Sequence, residues 1–105
     1  MPRLLVRAQA SDEVDAIAAT IAKDNLSAAV RFYDRVRETF DRVSIWPQSG
    51  TRRRTRARSL QGLRSYPIRG YRTYLVFYLP LDDGAEIVHV IHGARDIPSA
   101  LRGDG

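Results

Sequence analysis

Apolar residues recur along this chain with two periods, and the change between them divides it into a helical first half and a β-rich second half. Val14, Ile17, Ala18, Ile21 and Ala22 fall at helical spacing. Ser11 precedes them as a natural N-cap, and Asp12, Glu13 and Asp15 place negative charge in the first turn, so a helix of about 13 residues is expected from there. Lys23-Asp24-Asn25-Leu26 breaks the pattern, and Ser27 is the next candidate cap. A second helix then runs from about Ala28 to about Ile45. Ala29, Phe32, Val36, Phe40 and Val43 form its apolar stripe, widened by Tyr33. Arg37–Asp41 and Glu38–Arg42 sit four apart on its outer surface, where opposite charges attract weakly. Pro47 and Gly50 stop it.

Period two governs most of the remainder. Ahead of the helices, Arg3 to Gln9 reads as a short strand, with Leu4 and Val6 on one face and Leu5 on the other. Gly62 to Ile68 reads as an edge or first strand, because Pro67 disfavours a central position. Gly70 turns the chain into its longest apolar run, Tyr74 to Leu79, and a second β-rich run spans Ile87 to Ile91. Asp83-Gly84 between them predicts a hairpin turn. In that register Leu79 faces Val88 and Phe77 faces Val90. Leu75, Phe77, Leu79, Val88 and Val90 then share one face, with Val76, Tyr78, Ile87, His89 and Ile91 on the other. Pro80 makes the tip irregular. The order β-α-α-β-β-β implies an α+β fold, a helical hairpin packed on a mostly antiparallel four-stranded sheet. One domain is expected over residues 1–105, with its core at about 3–98 and a frayed tail at 99–105.

Composition narrows the function classes. There are no cysteines, which removes disulfides and thiolate metal sites. His89 and His92, three apart on a strand, are expected on opposite faces, so no metal or cofactor is expected. The apolar stretch after Arg3 is too short for a signal peptide and no run approaches the ~18 residues of a membrane span, so a cytoplasmic protein without membrane contact is expected. The net charge is +5, but its placement says more than its size. No acidic residue lies between Asp41 and Asp82, where Arg42, Arg52, Arg53, Arg54, Arg56, Arg58, Arg64, Arg69 and Arg72 all fall. Lys23 is the only lysine. Arginine forks bidentately onto phosphate or carboxylate, so this block reads as a surface for RNA, DNA or an acidic protein, or as a solvated loop. Thr51 to Gln61 has no hydrophobic period and is expected to be the most mobile region. No helix-turn-helix, zinc or RNA-recognition signature accompanies it.

Four stretches carry a resemblance to a known family. They are Ile17 to Ala22 with Asp24-Asn25, Ala28 to Phe32 followed by Trp46-Pro47, Gly62 to Pro67, and Tyr74 to Tyr78 with Val90 to Asp96. In their order and spacing over about residues 3–98 the chain resembles the ParE/RelE superfamily of type II toxin–antitoxin toxins, and within it the ParE-like, plasmid-stabilisation branch. The resemblance implies a small toxin neutralised in a hetero-oligomer by a cognate antitoxin. ParE-type members are associated with blocking DNA gyrase and replication without being enzymes; RelE-type members share the fold and cut mRNA on the ribosome.

Under the ribonuclease alternative, Arg64, Arg72 and Arg95 would clamp phosphate and His92 would exchange a proton. The usual RelE C-terminal Arg–Tyr ending is absent, so the gyrase-directed reading is preferred. For antitoxin or target binding the candidates are Arg52, Arg53, Arg54, Arg64, Arg72 and Arg95. Arg95-Asp96 also fits a structural turn. Tyr66, Tyr71, Tyr74 and Tyr78 are expected to pack in the sheet, and Trp46 to lid the core.

Overall fold

The computed structural model describes residues 1–93. The expected Arg95-Asp96 turn and the frayed tail lie outside the described residues. Elements follow the order β1 (Arg3–Val6), α1 (Ala8–Asp24), α2 (Leu26–Ile45), β2 (Thr51–Arg52), β3 (Arg64–Ile68), β4 (Tyr71–Leu81) and β5 (Gly84–His92), with a 3-10 turn at Arg58–Leu60. The α+β architecture is as expected, but the sheet has five strands in the order β1-β5-β4-β3-β2. The added strand is β2, whose two residues pair antiparallel with Ser65 and Arg64. So short a strand leaves no alternation to read in the sequence.

Both helix starts differ from expectation. α1 begins at Ala8, where Arg7 stands in the cap position without a side-chain capping bond. The Ser11 amide donates to the Arg7 carbonyl at 3.1 Å, so Ser11 lies inside the helix. Ala8, Gln9 and Ala10 tolerate helix well, and Ala10 is fully buried, so packing extends the helix past the sequence cap and ends β1 at Val6. α2 is capped by Asn25, whose side chain accepts the Ala28 amide at 3.0 Å, and Ser27 falls inside the first turn. The stripe Ala29, Phe32, Val36, Phe40 and Val43 is buried as its spacing predicts. Tyr33 instead faces out, and its hydroxyl donates to Asp15 at 2.6 Å, linking the two helices. Glu38 is held by Arg35 one turn back, whose Nη1 donates to both carboxylate oxygens at 2.9 Å, rather than by Arg42.

β1 lies parallel to β5, from Arg3 opposite Gly84 to Val6 opposite Ile87. A Cβ at position 84 would stand 1.7 Å from the Arg3 carbonyl oxygen, so only glycine lets the first strand close on the last. Arg3–Asp83 at 3.2 Å and Arg7–Glu86 at 2.8 Å tie the two ends of this pairing.

The β4–β5 hairpin turns at Asp82-Asp83, one residue earlier than Asp83-Gly84, because Gly84 is already paired with Leu81. Leu79 therefore faces Glu86, not Val88. A bulge follows, with Tyr78 opposite Ile87 and Phe77 opposite His89. The extra residue resets the alternation within β5. Val76, Tyr78, Ile87 and Val90 join the helix-side core with Phe32, Val36 and Val43, while Phe77, Val88 and Ile91 form a second cluster. The expected placement of Val90 beside Phe77 and of Ile91 beside Val76 is thus reversed, since regular alternation does not survive a bulge.

Candidate functional site

The arginine-rich segment, read from the sequence as a loop without anchors, packs onto the sheet. After β2 it crosses the outer face of the sheet, where Ala57, Leu60 and Leu63 are buried against Phe77, Val88 and Ile91. The Arg53 amide donates to the Leu63 carbonyl at 2.9 Å, the Thr55 hydroxyl accepts the Ala57 amide at 3.1 Å, and the Gln61 side chain donates to the Thr55 and Ala57 carbonyls. Three apolar side chains and these bonds order a stretch that no period reveals. Between them Arg52, Arg54, Arg56 and Arg58 project into solvent.

Arg53 and Arg64 have structural partners. Arg53 Nε donates to Ser65 Oγ at 2.7 Å, and its guanidinium lies 5.7 Å from the Phe77 ring centroid. Arg64 donates to the Gly50 carbonyl at 2.7 Å and to the Gln48 side-chain oxygen at 2.7 Å, fastening the segment after α2 to β3. Beside it the buried Tyr78 hydroxyl donates to the Pro47 carbonyl at 2.8 Å and accepts the Gly50 amide at 2.9 Å. Burial raises the Tyr78 phenol above its ordinary value, partly offset by the bond from Gly50. A Cβ at Gly50 would meet the Tyr78 oxygen at 2.5 Å, so the latch requires glycine there.

Arg72 stands at the other end of β4. With Arg69 it flanks the β3–β4 turn, and both line a cleft of about 720 Å³ against Arg42, Thr39 and Glu38 of α2 and Tyr66 of β3. Arg42 rests 5.4 Å from the Tyr66 ring centroid and 5.5 Å from that of Trp46. Trp46 is 58% exposed, so it does not lid the core. It occupies the C-cap of α2.

The histidines take unrelated positions. His89 is fully buried, with Nδ1 3.1 Å from Glu13 Oε2, and the Val90 amide donates to Glu13 Oε1 at 2.9 Å. This pins α1 to the bulge, and it is why Glu13 is better explained by tertiary contact than by a helix first turn. His92 ends β5 edge-on to Tyr74, with ring centroids 5.6 Å apart. In the β4–β5 register His89 lies opposite Phe77 of the outer cluster and His92 opposite Tyr74, which packs against the helix-side core, so the two histidines take opposite faces as expected. Among the described residues no group of three His, Cys, Asp or Glu side chains could hold a metal ion.

Arg64 pairs with Tyr78 and His92 with Tyr74, four residues apart on β4, roughly 13 Å along the strand. Arg64, Arg72 and His92 are therefore not one cluster, and Arg95 lies outside the described residues. Arg72 is instead joined by Arg42 and Arg69, neither of which was a candidate site residue in the sequence. The available signal was the pair of arginines bracketing Gly70 at a hairpin turn. The other tyrosines pack as expected. Tyr71 meets Phe32 edge-on at 5.1 Å and donates to the Ala28 carbonyl at 3.2 Å.

A helical hairpin packed on a mostly antiparallel sheet is the architecture that the resemblance implied, here with five strands instead of four. The sequence profile described as "ParE toxin of type II toxin-antitoxin system, parDE" matches residues 4–97, and the chain belongs to that family. A solved chain described as "Chromosomal ParDE TA system from P. aeruginosa" superposes with a TM-score of 0.67 at 14% identity, covering 88% of this chain and 96% of that one. At that identity the likeness is one of fold. No curated protein sequence matches significantly. The chain is thus a ParE toxin of a type II toxin–antitoxin system. No described helix is long and apolar enough to cross a membrane.

Proposed function

We propose that this toxin blocks DNA gyrase without itself being an enzyme, and that a cognate antitoxin neutralises it in a hetero-oligomer. The observation that carries the non-enzymatic reading is the separation of Arg64 from Arg72 and His92 along β4. A ribonuclease needs a base, an acid and phosphate-stabilising cations around one reacting phosphate. Here Arg64 is bound into the Gln48–Gly50 segment and His92 stacks on Tyr74 some distance away. Purified protein at micromolar concentration should inhibit gyrase supercoiling and leave mRNA intact in a translation mixture. Ribosome-dependent cutting that is lost in His92→Ala would overturn the reading in favour of the RelE-type alternative.

The antitoxin reading rests on uncovered surface. β1 forms one sheet edge, with Leu4, Leu5 and Val6 each about 40% exposed, and α2 exposes Leu26 and Val30. A disordered acidic segment that folds on contact can lay a helix on the α2 surface and a strand on the β1 edge, with carboxylates facing Arg52 and Arg54. Arg53 is excluded from the test because Ser65 holds it. The double variant Arg52→Ala/Arg54→Ala should associate more slowly and with a shallower salt dependence, since exposed charges act mainly on encounter. An unchanged rate and salt slope would remove the flap from the interface.

A further inference from the structure

The cleft between α2 and the β3–β4 turn has no part in the reading above. Arg42, Arg69 and Arg72 converge on it from two elements, and among the described residues no carboxylate pairs with any of them. Glu38, the one acid in its lining, is already held by Arg35. Beside it a smaller, largely apolar hollow of about 450 Å³ is lined by Ile45, Trp46 and Pro47. Arg42 lines both.

We propose that these two hollows form a binding site for single-stranded nucleic acid, with backbone phosphate against Arg42, Arg69 and Arg72 and a base stacked on Trp46. Guanidinium forks match phosphate oxygens bidentately. An exposed indole beside them supplies a face on which any base can stack, the usual pairing in single-strand binding. The strand edge argues against an extended acidic peptide as the occupant. β2 covers β3 only at Arg64 and Ser65. The Leu63 carbonyl bonds outward to Arg53, so alternation turns the backbone of Ser65 and Pro67 to the same outer side. Pro67 has no N–H to offer there, so a peptide in the cleft cannot extend the sheet. Duplex DNA fits poorly because its bases are stacked inside and unavailable to Trp46.

Trp46 is the only tryptophan, so its fluorescence reports this site alone. The purified chain is titrated with a single-stranded oligonucleotide of about a dozen nucleotides, its duplex, and polyglutamate of similar charge. The single strand should quench Trp46, and the duplex and polyglutamate should not. Arg69→Gln/Arg72→Gln should weaken binding about tenfold and lower the salt slope by about 1.4. Arg56→Gln/Arg58→Gln removes the same charge from the flap and should shift affinity less than about threefold. Equal losses in the two double variants would reduce the effect to general charge and overturn the site. Absence of quenching, or polyglutamate binding with the same dependence on Arg69 and Arg72, would also overturn it. Oligonucleotide binding and supercoiling inhibition are read separately, so failure of this site is distinguishable from failure of the gyrase reading.

Discussion

The two faces of the sheet are closed by covers of opposite kinds. On one, α1 and α2 present apolar stripes of helical period, and Phe32, Val36 and Val43 meet Val76, Tyr78 and Val90. On the other, a segment dominated by arginine lowers Ala57, Leu60 and Leu63 onto Phe77, Val88 and Ile91. The first cover is a regular element whose pattern repeats, so each buried residue predicts the next. The second is irregular, and its few anchors are fixed by where the sheet lies beneath them. Charge density is therefore a poor guide to packing: a chain can send arginines outward while its small and aliphatic residues close a core.

Breaking the helical cover should have the largest effect. Phe32→Ala removes a fully buried ring touching Tyr71 and Tyr74 and should cost about 4 kcal/mol in urea unfolding, a large part of a small domain's stability. Leu60→Ala tests the flap in the same assay and should cost about 3 kcal/mol, because Leu60 is equally buried. A loss below about 1 kcal/mol would mean that the flap is a loose lid and that the two covers are not comparable.

Tyr78 sharpens the comparison at the seam, where the end of α2 passes into the flap. Tyr78→Phe leaves the Pro47 carbonyl and Gly50 amide without their buried partner and should cost about 1.5 kcal/mol. The wild type should also lose stability in alkali. The folded phenol titrates above its ordinary value of 10.0, so the native state keeps a proton that the unfolded state releases. This contribution is constant below that value and declines as pH rises from there through the folded pKa. Denaturation midpoints from neutral pH upward should show a smaller alkaline decline in Tyr78→Phe. The smallest effect should be that of Asn25→Ala, about 1 kcal/mol, which removes the cap of α2 without touching either core. An equal loss in Ser27→Ala would contradict the cap assignment.

The sequence by itself determined the helical hairpin, the order of elements apart from β2, and the family, because these depend on local periodicity and on residues in fixed succession. Phe32 to Val43 could be read directly, as could the two β-rich runs and the concentration of positive charge after Asp41. Tertiary structure decided everything set by contact between distant segments. It began α1 at Ala8 because Ala10 had a core to enter. It placed the β-bulge that sends Val90 to one face and Ile91 to the other, and it paired Glu13 with His89. It also sorted the arginines: Arg53 and Arg64 became struts, while Arg42, Arg69 and Arg72 came to share a cleft. Residues alike in charge and close in sequence carry no mark of these roles, because the partners that separate them lie elsewhere in the chain.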